Sequence, residues 1–223
     1  MPERVAATAI VLAGGRSSRF GSEKLAAELD GSPLLHHALR GAAEVCDEVL
    51  VVGAPAGLPV ELPDDLAPAV VLDLDAYQGP LVALVDAARS AGNDRLLLVG
   101  GDMPSLVPTL LRRLLEWGPE AEGACLVSDD WVQPFPMGLD RAAAQARGVE
   151  LVEAQERSMR SLIDTLTVEL VLEEEWRVLD PEGHTLRDVD LPADLDEYAP
   201  SGPTRRAKAW SLRTTSSERR GRP

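Results

Sequence analysis

Short apolar runs that alternate with helical patterns constrain the fold of this chain more than any other feature. TAIVLAGG spans Thr8–Gly15, EVLVVGA spans Glu48–Ala54, AVVLDLD spans Ala69–Asp75 and RLLLVGGD spans Arg95–Asp102. These runs are continuously apolar rather than alternating apolar with polar, which predicts strands buried on both faces. Between them, helical periodicity covers Pro33–Ala43, Leu81–Ser90 and Ser105–Trp117. Strand–helix alternation of this kind predicts an α/β fold: a doubly wound, mostly parallel, Rossmann-like sheet covered by helices on both faces.

In such sheets ligands collect at the carboxyl ends of the strands. Here the first run ends in Gly14-Gly15, the third carries Asp73 and Asp75, and the fourth ends in Gly101-Asp102. Three strand ends thus deliver glycines or carboxylates to one edge. Beyond Gly118 the pattern loosens. Gly123–Val127 and Trp131–Met137 read as strands joined by an Asp129-Asp130 turn. Leu139–Arg147 and Met159–Leu166 read as helices, Val168–Leu172 and Thr185–Val189 as strands, and Pro192–Tyr198 as a short final helix.

Charge narrows the partners. The 223 residues carry a formal net charge of −15. Residues 199–223 hold Arg205, Arg206, Lys208, Arg213, Arg219, Arg220 and Arg222 against Glu218, a net of +6 that leaves −21 on the remainder. So acidic a body repels nucleic acid, and an anionic substrate must be met by a local basic site. The basic segment is rich in Pro, Ser and Thr and lacks apolar periodicity, which predicts a disordered tail after a single domain over residues 1–198. Cys46 and Cys125 have no C-x-x-C spacing and are expected to be buried core thiols, not zinc ligands. No apolar stretch approaches the ~18 residues of a membrane span, and no basic n-region precedes the first apolar run, so a cytoplasmic protein is expected.

LAGGRSSRFGSEK, Leu12–Lys24, is the most informative segment. Its glycines allow backbone N–H groups to converge on a phosphate, Arg19 can grip phosphate oxygens bidentately, and Lys24 can act as a point charge. The spacing fits neither G-x-x-x-x-G-K-[ST] nor G-x-G-x-x-G, so neither a P-loop NTPase nor a standard dinucleotide-binding fold is supported. Asp102 admits two readings, a magnesium ligand or an N-cap for the helix that follows Pro104-Ser105. Lys24 admits a surface reading. His36, His37 and His184 have no partner motif and are expected to be solvated or satisfied locally.

The set of segments resembles the NTP-transferase superfamily. LAGG with Arg19, Gly21 and Lys24 resembles its signature loop. DLDAYQGPL, Asp73–Leu81, resembles the nucleobase segment; VGGDMP, Val99–Pro104, the metal-binding strand end; and RDVDLPADL, Arg187–Leu195, the late Asn/Asp-x-Asn/Asp motif. Within the superfamily the chain is most similar to molybdenum-cofactor guanylyltransferases. The loop reads LAGG where cytidylyl counterparts typically read LAAG, the base segment reads GPL, and QERSMRSLID, Gln155–Asp164, resembles a late G-E-R-S/R segment. The chain departs from the family at Ala83, where Gly is frequent, and at Gly53-Ala54-Pro55, where a polar Asn often follows the second strand.

The resemblance implies a nucleotidyltransferase that moves GMP from GTP to a molybdopterin-type phosphorylated acceptor, with Mg²⁺ and release of pyrophosphate. It implies that Leu12, Ala13, Gly14, Gly15, Arg19 and Lys24 line the nucleotide's phosphates and that Asp73 and Gly79 meet the base and sugar. Asp102 and Asp190 are the implied metal ligands, with Asp188 beside them, and Arg19, Lys24 and Asp102 the implied catalytic residues. Alternatives that share the chemistry are a CTP donor or a sugar-phosphate or phospholactate acceptor. A catalytically idle nucleotide-binding module is disfavoured by the joint presence of Lys24 and Asp102.

Overall fold

A computed structural model describes residues 4–14, 24–72, 78–191, 194–195 and 198 of the chain. Nine strands are present among them: β1 (Val5–Leu12), β2 (Glu28–Leu29), β3 (Ser32–Pro33), β4 (Cys46–Gly53), β5 (Ala69–Leu72), β6 (Arg95–Gly100), β7 (Gly123–Ser128), β8 (Trp131–Asp140) and β9 (Val168–Val171). The helices are α1 (Leu34–Ala43), α2 (Pro80–Ser90), α3 (Pro108–Leu114), α4 (Arg141–Glu153), α5 (Met159–Thr165) and α6 (Glu173–Trp176).

Seven strands form one sheet in the order β5-β4-β1-β6-β8-β7-β9, and β2 and β3 form a separate antiparallel ribbon. β8 alone runs against the others in the large sheet, pairing antiparallel with both β6 and β7. The mostly parallel α/β fold expected from the sequence is therefore the observed one.

Double burial explains the apolar runs. Successive side chains of a strand point to opposite faces. On β1, Ala7, Ala9 and Val11 pack with α1 residues Leu35, Ala38 and Leu39 and with Leu110, Leu111 and Leu114 of α3, whereas Ile10 packs on the other face with Leu81 and Leu84 of α2 and Leu162 of α5. β6 divides likewise, Leu97 and Val99 to the first core and Leu96 and Leu98 to the second. Trp176 of α6 closes the first core and donates its Nε1–H to the Val127 carbonyl at 2.8 Å. Cys46 and Cys125 are both buried free thiols, as expected.

Three local expectations are corrected. Leu139 does not open a helix: it pairs with Leu96 of β6 and Gly123 of β7, and α4 starts only after Asp140, whose carboxylate caps the Ala143 N–H at 2.8 Å. α3 does not begin at Ser105 but at Pro108, whose fixed φ suits the first helical position. Thr185–Val189 is not a strand, because Asp180 draws the His184 and Thr185 N–H groups into a 3-10 turn over His184–Leu186. The single-turn α6, unread in the sequence, begins with Glu173, Glu174 and Glu175, three acids that suit a helix N-terminus. The Asp129-Asp130 turn is present, and both residues have positive φ (52° and 63°), as a two-residue hairpin connection of the twisted β7–β8 pair requires. The expected final helix over 192–198 and the basic tail fall wholly or partly outside the described residues.

Candidate nucleotide and metal site

The parallel strands β5, β4, β1 and β6 end on one edge of the sheet. The chain leaves β1 for β4 on one side and returns to β6 on the other, so the crevice between the ends of β1 and β6 is the switch point at which such sheets bind ligands. There Leu12 stands in register with Gly100, and the Gly101 N–H donates to the Leu12 carbonyl at 3.0 Å. Ala13 is tied to β4 by its N–H on the Val52 carbonyl at 2.8 Å, and the following Gly14 is exposed at the rim. The protein's own packing does not require glycine at 14, since a Cβ there would come no closer than 3.5 Å to Ala54 N and the Gly53 carbonyl carbon, an ordinary contact. Gly15, Arg19 and Asp73, three of the expected nucleotide residues, lie outside the described residues.

Asp102 turns off the end of β6 and folds back over it. A Cβ on Gly100 would come within 2.5 Å of the Asp102 Oδ1, so any larger residue there would push the carboxylate out of its present position. The capping alternative for Asp102 fails, because Val107 precedes the first turn of α3 and no side chain caps that helix. Lys24, in a 3-10 turn over Lys24–Ala26, is no surface lysine: it is 8% exposed, and its Nζ lies 2.7 Å from Asp102 Oδ2 and 3.1 Å from Asp190 Oδ1. Burial pulls the Lys24 pKa down, but Asp102 and Asp190 pull it up further, and the net direction is upward, so the ammonium stays charged.

The late motif supplies the remaining carboxylates. Val189 is fully buried against Leu29 and Leu34, and its N–H donates to the Asp102 carbonyl at 3.1 Å. Asp194 accepts from the Asp190 and Leu191 N–H groups at 2.8 and 2.7 Å and holds the turn that follows. With Val189 anchored, Asp188 and Asp190 on either side join Asp102, and one carboxylate oxygen from each of the three lies within 4.8 Å of the others. Burial of its carboxyl, then the charges of Asp102 and Asp190, push the Asp188 pKa up to about 6. Much of the Asp188 residue surface still faces solvent, so water or an ion can reach the cluster. The sequence had singled out Asp102 and Asp190 as ligands; the fold adds Asp188 as a third carboxylate and adds the two ion pairs of Lys24.

Gly79 precedes α2 with φ of 109°, a region that L side chains rarely adopt. A Cβ there would also approach the Arg157 carbonyl oxygen to 2.8 Å. The GPL segment and the Gln155–Ser158 turn, distant in sequence, are therefore packed together, and the need for glycine at 79 is set by backbone geometry and this neighbour. Gly79→Ala is expected to cost at least about 1–2 kcal/mol, the scale of a left-handed side chain, before any effect on a ligand. Chemical denaturation checks this; an unchanged midpoint would refute it.

His36 and His37 behave as expected. His36 Nε2 donates to the Glu61 carbonyl at 2.8 Å and His37 Nε2 to that of Leu29 at 2.7 Å, so both are satisfied by backbone.

A mostly parallel sheet with glycine directly after its first strand, and with a lysine and three carboxylates gathered at its switch point, fits the nucleotidyltransferase class. Comparison with known proteins agrees. Residues 9–171 match the model of the MobA-like NTP transferase domain, and the chain belongs to that family. It is 31% identical over 204 residues, 89% of this chain and 98% of the other, to a Mycolicibacterium paratuberculosis protein named "Probable molybdenum cofactor guanylyltransferase". It is 26% identical to the molybdenum cofactor guanylyltransferase of Syntrophotalea carbinolica, covering 88% of this chain and 92% of that one. Among solved structures, molybdopterin-guanine dinucleotide biosynthesis protein A from Archaeoglobus fulgidus superposes with a TM-score of 0.68 at 19% identity, over 86% of this chain and 96% of that one. The 2-C-methyl-D-erythritol 4-phosphate cytidylyltransferase of Thermus thermophilus superposes with a TM-score of 0.64 at 18% identity, over 88% and 97%. No helix among the described residues is long and apolar enough to cross a membrane.

Proposed function

We propose that this chain is a Mg²⁺-dependent guanylyltransferase that transfers GMP from GTP to a molybdenum-loaded molybdopterin, releasing pyrophosphate. The observation that carries the reading is the cluster of Lys24, Asp102, Asp188 and Asp190 at the ends of β1 and β6. The choice of donor and acceptor is supported by relatives named as molybdenum cofactor guanylyltransferases.

The donor set suits magnesium. Mg²⁺ takes hard oxygen ligands at about 2.1 Å in near-octahedral geometry, so its ligand oxygens stand about 3–4 Å apart; the three carboxylates bring one oxygen each within 4.8 Å of the others, close enough for small side-chain shifts to reach that spacing. When bound, the ion would neutralise charge on the triphosphate and polarise the α-phosphorus. The acceptor phosphate monoester is already an anionic nucleophile, so no residue need act as a strong base. What the chain must provide is alignment and compensation of charge building on the leaving pyrophosphate. Gly14 presents backbone at the rim, Lys24 brings a positive charge, and Gly15 and Arg19 belong to the same loop. Asp73 and Gly79 are assigned to the base and sugar.

The product made from GTP, Mg²⁺ and molybdenum-loaded molybdopterin, analysed by mass spectrometry, tests the reading. Appearance of the guanine dinucleotide with one pyrophosphate per turnover is expected. Pyrophosphate release with a different acceptor alone would keep the transferase and refute the acceptor.

Lys24→Ala is expected to weaken GTP binding far more than guanosine binding, since the proposed contact is to phosphate alone. Calorimetry with the two ligands decides; equal losses would remove Lys24 from the phosphate site.

A further inference from the structure

We propose that Lys24 is a placeholder cation: its ammonium occupies Asp102 and Asp190 until a divalent ion takes those carboxylates, and it is then released to the phosphates of the substrate, so that metal and triphosphate bind cooperatively. The inference rests on reading this cluster as the metal and triphosphate site.

The geometry makes the two cations rivals. Lys24 Nζ bonds Asp102 Oδ2 at 2.7 Å and Asp190 Oδ1 at 3.1 Å, and these two carboxylates complete a three-oxygen set only together with Asp188. A divalent ion at coordination distance from the same groups would stand within a few ångströms of the ammonium, where like charges repel strongly in a partly buried site. Lys24 must therefore leave before the set can be used in full. At 8% exposure its ammonium cannot simply rotate into bulk water while keeping these partners. Once displaced by the metal it gains most from another anion, and the triphosphate is the one this site is proposed to bind. Each ligand thereby lowers the cost of accepting the other, and by linkage the effect is reciprocal.

The residue type suits the exchange. The chain holds 22 Lys plus Arg, of which two are lysines, Lys24 and Lys208. Among residues 1–198, Lys24 is the single position where lysine stands instead of arginine. A compact ammonium on a flexible stem can trade one oxygen partner for another, whereas a guanidinium would lock a carboxylate in a rigid two-pronged pair.

The test uses the full chain and Mn²⁺ as the probe, followed by electron paramagnetic resonance without nucleotide. Lys24→Met, similar in length and uncharged, is expected to bind Mn²⁺ on the order of tenfold more tightly than wild type, the usual scale of coupling between sites. Equal or weaker binding by a folded Lys24→Met would overturn the proposal while leaving a metal site in place. Binding by neither protein would overturn both the metal site and the proposal. A second measurement needs no variant. With two lysines in the chain, amine labelling read by peptide mass spectrometry reports Lys24 against Lys208 as internal reference. Mg²⁺ alone is expected to raise the labelling of wild-type Lys24 relative to Lys208. Labelling unchanged at Mg²⁺ concentrations that saturate the Mn²⁺ site would refute the placeholder role, even if Lys24→Met failed to fold.

Discussion

Asp102→Asn is expected to preserve the fold and to lower turnover by on the order of a hundredfold or more, beyond the 10–100-fold typical of losing a mere supporting partner of a metal ligand. The side chain lies at the open end of β6 and is about a third exposed, so the cores on either face of the sheet do not depend on it. The amide keeps the shape and loses the charge that both Lys24 and a magnesium ion would use. Circular dichroism should match wild type while pyrophosphate release from GTP collapses. Turnover near wild type at saturating Mg²⁺ would remove Asp102 from the metal site.

The second large effect concerns the base. Guanine presents N1–H and N2–H₂ donors, so its pocket must offer acceptors, such as backbone carbonyls or the Asp73 carboxylate. Cytosine presents O2 and N3 acceptors on its pairing edge and would leave those pocket groups unpaired. Each unpaired buried group costs about 1–3 kcal/mol, so two such losses give GTP a preference of roughly a hundredfold over CTP in kcat/KM. The fold cannot supply this preference, because the Thermus thermophilus cytidylyltransferase superposes on the same sheet. Measurement of kcat/KM for GTP, CTP, ATP and UTP with one acceptor checks it. A CTP value equal to or above that for GTP would refute guanylyl transfer and leave a nucleotidyltransferase with another donor. Gly79 is a poor probe of the base, because its positive φ and its contact with Arg157 would disturb the backbone first.

Much of the architecture was legible locally. Unbroken apolar runs at Ile10–Leu12, Leu50–Val52 and Leu96–Val99 can be buried only between two layers, so their pattern alone predicts a covered sheet. Glycine and aspartate at the ends of those runs mark the ligand edge, because parallel strands bring their carboxyl ends together. Where local patterns misled, a distant partner had intervened. Leu139 reads as helical, yet it completes ladders with β6 and β7; Thr185 reads as strand, yet Asp180 captures its N–H.

The sequence by itself determined the class of fold, the edge at which the parallel strands end and the residue types offered there, since periodicity, turn chemistry and motif spacing are local properties of the chain. Only the tertiary structure decided that Lys24 is buried in a two-carboxylate ion pair, that Asp188 joins Asp102 and Asp190, and that Gly79 lies against Arg157. Lys24 lies 78 residues from Asp102 and 166 from Asp190, and no periodicity spans such distances. Their meeting follows from the register of β1 against β6 and from the buried Val189 that carries the late motif back to Asp102, both products of long-range packing.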